Sequence, residues 1–218
     1  MVLENDANAG LYGEWKLGAA KGYRNVAGIF LGTGVGGAFI LDGRLYRGAT
    51  GAAGEIGHTF LGAPTLIDAD EKISTVEGLL GRLRIASEAG LLILKQKAPK
   101  LYHEAGYDIR KIKSKMLKLS IKRGDDAIRD LMLQKAKVLG LAMANLVNLL
   151  NPEVIVLGGG LIEALGSEII PEARDIMKKF AMAPIVKSVR VQKAKLGDDS
   201  ILLGAAQLAL DHLKERKN

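Results

Sequence analysis

Apolar and polar residues alternate along this chain in two periods, and the switches between them set out the elements. Residues 5–21 carry a helical stripe of Leu11, Tyr12 and Trp15, with Asn5 or Asp6 placed to cap it. Residues 26–32, VAGIFLG, are apolar and bounded by glycine, which predicts a strand. GGAFILDGRLY predicts a second strand, a tight Asp42-Gly43 turn and a short third strand. A glycine-rich loop follows from Gly48 to Gly57. Helical spacing then covers 75–97, 108–122 and 125–150, the last ending before Asn151-Pro152. EVIVLGGG reads as a buried strand running into glycines. The helix after it, LIEALGSEIIPEARDIMKKFAM, is expected to have its second part opened by Pro171. SVRVQ, 188–192, alternates as a strand, and the end of the chain is a helix with a charged, frayed tail.

Hairpin strands, then helices, then strand–helix–strand–helix make a mixed α/β layout with both antiparallel and parallel pairing. No internal repeat, low-complexity tract or long linker interrupts it. The 218 residues suffice for a sizeable core in one or two domains. No apolar run reaches the ~18 residues a membrane span needs, so no membrane partner is expected. No basic segment followed by an apolar run marks a secretory leader, so a cytoplasmic location is expected. The absence of cysteine excludes disulfides, thiolate zinc sites and cysteine nucleophiles.

The net charge of +7 raises the question of an anionic partner. Much of the excess sits in residues 95–123, where Lys and Arg alternate with apolar residues at helical spacing. That is the pattern of a solvated helix face, and aromatics at 5% are too few for a base-stacking platform, so no nucleic acid is expected. A nucleoside triphosphate would also suit a basic protein.

GTGVGG, residues 32–37, matches G-x-G-x-x-G through Gly32, Gly34 and Gly37. The dinucleotide fingerprint needs a helix after the glycines, and here AFILDG is a strand. The glycines therefore sit at the bend of a β-hairpin, either as a tight turn alone or as a phosphate-binding nest of N–H groups. Gly158, Gly159 and Gly160 do have a strand before them and a helix after, so backbone N–H groups and the helix dipole face whatever sits there. A close-packed strand-to-helix turn is the other reading.

In GATGAAGEIGHTF, Glu55 and His58 stand one helical turn apart among glycines and alanines. Small neighbours let a ligand approach, and a Glu with a His can hydrogen-bond vicinal hydroxyls, which suggests a sugar. A zinc site is incomplete with one His and one Glu. His103 and His212 lie in charged helical surroundings and read as surface residues.

ENDANAG, GTGVGGAFILDGRLYRGATGAAGEIGH, NPEVIVLGGG and LLGAAQLA, in that order, resemble the ROK family of bacterial sugar kinases, transcriptional repressors and uncharacterised reading frames, glucokinases most of all. The resemblance runs from near residue 2 to about residue 210. It implies an actin/hexokinase-like ATPase fold of ribonuclease H-like domains, and transfer of the γ-phosphate of ATP, with Mg²⁺, to a hexose hydroxyl, usually O6. It implies that Asp6 is the general base and that Asn5, Glu55, His58 and Glu77 hold the sugar. Gly32, Thr33 and Gly34 match the phosphate-binding turn, and Gly158, Gly159 and Gly160 the nucleoside-side loop.

Two departures qualify that likeness. The family's kinases carry an N-terminal domain with a DxGGTK-like phosphate loop, and no such motif stands in this sequence. Residues 1–218 are thus expected to form the C-terminal, large domain of such a kinase, with 1–22 and 201–218 near the hinge. The apolar face of the last helix (Leu202, Leu203, Leu208) is then expected to be under-covered and to favour a homodimer. Many members also carry C-x-C-G-x-x-G-C-x-E after the GH; with Glu77 as its last residue, the cysteine positions hold Asp68, Asp70 and Thr75, so structural zinc is not expected. The functional expectation is an ATP-dependent hexose kinase or its C-terminal part; the alternative is a non-catalytic sugar-binding domain of the same family.

Overall fold

The structure, a computed structural model, describes residues 3–62 and 74–215; Asp68 and Asp70 of the altered zinc segment lie outside them. Its sheet has five strands: β1 (Val26–Leu31), β2 (Val35–Leu41), β3 (Arg44–Tyr46), β4 (Val154–Gly158) and β5 (Arg190–Lys193), in the order β3-β2-β1-β4-β5. β1 pairs antiparallel with β2 and parallel with β4; β2–β3 is antiparallel and β4–β5 parallel. The β2–β3 hairpin turns at Asp42 (φ 51°) and Gly43 (φ 76°), two positive φ values in succession, which give a turn whose twist matches the strands.

The central strands are buried on both faces, which explains their continuous apolar runs. On one face Val26, Ala38, Ile40, Val154 and Val156 pack with Leu11 and Tyr12 of α1 (Asp6–Leu17) and Leu208 of the last helix. On the other, Ala27, Ile29, Leu31, Phe39, Ile155 and Leu157 join the main core. That core is built with α2 (Val76–Leu80), α3 (Arg82–Leu94), α4 (Pro99–Ala105), α5 (Ser114–Lys122), α6 (Asp126–Leu150), α7 (Gly160–Phe180) and the short α8 (Ala183–Val186). The chain closes with α9 (Ser200–Glu215), which lies against α1.

Several expected elements differ in extent. The first helix stops at Leu17, because buried Glu14 turns its carboxylate onto the N–H of Ala19 (2.7 Å) and of Lys195 and Leu196 (2.8 and 2.7 Å), tying the helix end to the loop before α9. The helix expected over 75–97 breaks at Gly81, whose ψ of 145° is extended. The segment over 108–122 begins as a 3-10 turn, Ile109–Lys111, and becomes α-helical only at Ser114. α4, with Pro99 in its first turn, was not expected; its Lys100 and Leu101 N–H groups are held by buried Asp125, which also accepts from Ser120 Oγ at 2.6 Å. Pro171 does not open a new helix but lies inside α7. It is exposed, as is Ser167, so the carbonyl it leaves unbonded faces water while Leu165, Ile169, Ala173 and Met177 carry the apolar stripe through.

Lys113, Lys115, Lys118 and Lys122 are exposed while Leu117 and Ile121 are buried, so the basic stretch is a solvated helix face. Among the described residues no helix is long and apolar enough to cross a membrane.

Candidate functional site

The parallel pair β1–β4 sets the site. Phe30 pairs with Gly158, so the carboxyl ends of both strands, and the glycine turns that follow them, arrive side by side. Ligands of open α/β sheets settle at such strand ends. Here a cleft of about 480 Å³ opens there, lined by Asn5, Asp6, Gly32, Thr33, Gly34, Glu55, Glu77 and Gly159 among others.

The α1 side supplies the first two of these. Asn5 is the N-cap: its Oδ1 accepts from Ala7 N (2.8 Å) and Asn8 N (3.3 Å). Asp6, the first helical residue, shares the Ala7 N–H through its carboxylate Oδ1 (2.8 Å), while Asn5 alone reaches Asn8 N; Asp6 is exposed and lines the cleft. The helix N-terminus favours that negative charge. The approach to this corner is braced by Glu4, which accepts from Asn8 Nδ2 (2.8 Å) and Arg47 Nε (2.7 Å). Partial burial alone would raise the Glu4 carboxyl; the bonds from Asn8 and Arg47 outweigh it and hold it below its ordinary value.

The glycine turn is shaped by close approach. Gly32 N donates to Gly34 O at 2.9 Å, and Glu77 Oε2 accepts from Val35 N at 3.0 Å. A Cβ on Gly34 would stand 2.2 Å from that Glu77 oxygen, so only glycine lets the carboxylate reach the turn. Thr75 Oγ1 accepts from Gly78 N and caps α2, so the position that carries cysteine in the zinc pattern starts the helix bearing Glu77. At the second glycine run, Gly159 has φ 86° and a Cβ there would lie 2.5 Å from Leu31 O. Gly158 is packed against the Phe30 ring, and Gly160 opens α7; of the three, only Gly159 lines the cleft.

Glu55 precedes a 3-10 turn, Ile56–His58, that brings His58 Nε2 to 3.9 Å from Glu55 Oε2. Glu55 lines the cleft and His58 does not, although both side chains are more than half exposed, at 56% and 57%. His103 and His212 are exposed surface residues. Two cleft acids went unremarked in the sequence: Glu163, in the first turn of α7, and Asp198, in the 3-10 turn Gly197–Asp199. For Glu163 the available signal was its place one turn after the Gly158–Gly160 run; Asp198 follows only the single Gly197. A larger groove of about 910 Å³, between α1, the β2–β3 hairpin and α9, shares no lining residue with the cleft.

Among the described residues no group of three or more His, Asp or Glu is arranged to hold a metal. A magnesium ion bound with phosphates asks less of the protein, one or two carboxylates, and the acids of the cleft satisfy that. Gly32 N and Val35 N are already bonded, so what the turn offers a phosphate chain is the close approach its bare Cα atoms allow and the Thr33 side chain at the cleft.

The sequence profile of the ROK family matches residues 1–212. A glucokinase from Halalkalibacterium halodurans is 32% identical over 223 aligned positions, which take in 100% of this chain and 64% of that protein. A xylose repressor from Caldicellulosiruptor bescii is 27% identical over 98% of this chain and 53% of its own length. The crystal structure of a ROK family glucokinase from Streptomyces griseus in complex with glucose and AMPPNP superimposes with a TM-score of 0.83 at 28% identity, covering 95% of this chain and 67% of that one. The chain thus spans between about half and two thirds of these relatives.

Proposed function

The chain belongs to the ROK family and has its actin/hexokinase-like fold, and from that premise we propose that it supplies the large-domain side of an ATP-dependent hexose kinase site. The observation that carries this reading is the single cleft that gathers Asp6, Asn5, Glu55 and Glu77 with the Gly32–Gly34 turn and Gly159. A sugar hydroxyl is a weak nucleophile at neutral pH. A carboxylate within about 2.6–3.2 Å takes its proton as the new P–O bond forms. Asp6 is assigned that role, since it is exposed at the cleft and only its Oδ1 is engaged, by Ala7 N.

Asn5, Glu55, Glu77 and, from the rim, His58 are assigned to the sugar hydroxyls. A glucose-complexed relative among the superimposing structures supports a hexose as the sugar. Thr33 and the turn glycines are assigned to the phosphates, and Gly158–Gly160 to the nucleoside side, where a nucleotide would bridge the two strand ends. Bound Mg²⁺ would neutralise charge on the phosphate oxygens. The protein's own share is to orient the hydroxyl, take its proton and let the phosphates approach the glycine turn closely.

A second reading, a sugar-binding domain without catalysis, is favoured by the repressor among the relatives. A coupled assay with glucose, ATP and Mg²⁺ separates the two, together with calorimetry of glucose and AMPPNP apart. Turnover supports the kinase; sugar binding with neither turnover nor nucleotide binding supports the second reading. α9 leaves Leu202 (71% exposed), Leu210 and Leu213 uncovered, which supports pairing of two copies through this helix.

A further inference from the structure

Arg82 is placed where its charge has no ion-pair partner among the described residues. The break at Gly81 makes it the first residue of α3 and brings that helix start against the glycine turn. Its backbone N–H donates to Thr33 O at 3.2 Å, and its guanidinium Nη2 to Thr33 Oγ1 at 3.3 Å. Main chain and side chain of one residue thus hold Thr33 at two points. The first turn of α3 has no acidic residue, and a cation at a helix N-terminus is unfavourable by the helix dipole. Among the described residues Arg82 has no carboxylate within ion-pair distance, whereas the neighbouring Arg84 pairs with Glu88 at 2.6 Å. The nearby Glu77 directs its Oε2 to Val35 N. Arg82 Nε is enclosed by protein and has no acceptor. Such a cost at a local site is tolerated where a ligand offsets it.

We propose that Arg82 is a positioning residue for the phosphate chain of a nucleoside triphosphate, acting through Thr33 and through its own charge; this rests on the kinase reading above. A hydroxyl has one proton. With Thr33 Oγ1 accepting from Arg82, its own proton remains for a third group, and Thr33 lines the cleft. The guanidinium thereby orients the Thr33 hydroxyl as a donor toward an anion. Together with the α3 N-terminus, it places positive potential behind the Gly32–Gly34 turn.

The test uses the whole 218-residue chain and calorimetry with AMPPNP, adenosine and glucose. Arg82→Gln is expected to weaken AMPPNP binding about tenfold to a hundredfold, the range of one charge-assisted hydrogen bond. Adenosine and glucose affinities are expected to stay at the wild-type values. Arg82→Lys keeps the charge without the fork and is expected to recover part of the loss. Thr33→Val is expected to be non-additive with Arg82→Gln, since both remove one contact. Wild-type AMPPNP affinity in Arg82→Gln would overturn the proposal, as would equal losses for AMPPNP and adenosine, the mark of a purely structural role. If the wild-type chain binds neither AMPPNP nor adenosine, the kinase reading itself falls, and the role of Arg82 with it.

Discussion

Asn5 and Asp6 are residues whose part in capping a sequence cannot separate, because either side chain can cap a helix. The structure has both accepting from Ala7 N, while Asn5 alone also holds Asn8 N and Asp6 stands exposed at the cleft. Asp6→Asn is therefore expected to leave the fold and glucose binding intact while lowering turnover by about a hundredfold to ten-thousandfold. Steady-state kinetics beside a melting curve checks this. Asn5→Ala should differ: losing the cap costs about 0.5–2 kcal/mol of stability, read as a lower Tm. A third residue sets an acid limit. Burial alone would raise the Asp211 carboxyl, but hydrogen bonds from Tyr12 (2.7 Å) and Lys16 outweigh this and hold it below its ordinary value. A depressed folded-state pKa contributes stability above the unfolded value, and that contribution is lost as pH falls through the folded one. Asp211→Asn should lower Tm at pH 7 and flatten the fall of Tm below about pH 4; an unchanged acid limb would refute this. Glu55 and the turn glycines could be singled out as cleft residues because small residues around a lone Glu and His are an unusual context; the same context singled out His58, which stands outside the cleft lining. The role of Arg82 was not, because one arginine in a charged helical stretch looks like any other until the backbone brings it to Thr33.

At the scale of elements, strands were read more surely than helix ends. The β2–β3 hairpin announced itself through Asp42-Gly43, and α6 through Asn151-Pro152, since both dipeptides restrict backbone angles directly. The break at Gly81 was hidden because its flanks keep helical spacing, and what stops the helix is the turn at Thr33, far away in sequence. Pro171 misled for the reverse reason: its cost is small where the freed carbonyl meets water. The α1–α9 crossing was equally invisible. A Cβ on Gly204 would lie 1.7 Å from Ala9 O, and one on Gly13 2.4 Å from Ser200 O, so the two helices touch backbone to backbone. Gly204→Ala is expected to cost about 1–3 kcal/mol and, by tilting the helix that carries Asp6, to lower turnover as well. Glu14→Gln would turn an amide N–H₂ toward backbone donors and cost about 1–3 kcal/mol. Chemical denaturation reads both values.

At the scale of the molecule, the fold presents one continuous face of chemistry, formed where α1, the β1–β2 turn and the start of α7 meet. α9 closes that corner and leaves its outer leucines exposed. The expected apolar face held only in part, since Leu208 is buried against the α1 side of the sheet while Leu202 and Leu203 are exposed. Leu202→Glu is expected to reduce self-association in sedimentation velocity; an unchanged mass distribution would show that α9 is not where copies meet. The central claim is that Asp6 takes the proton of a sugar hydroxyl in this cleft. Its most direct measurement is the rate of ADP formation from ATP and Mg²⁺ with glucose, wild type against Asp6→Asn, at matched occupancy of both ligands. The account predicts glucose-dependent turnover in the wild type and its loss by about two orders of magnitude or more in the variant. Equal turnover in the two proteins would contradict it.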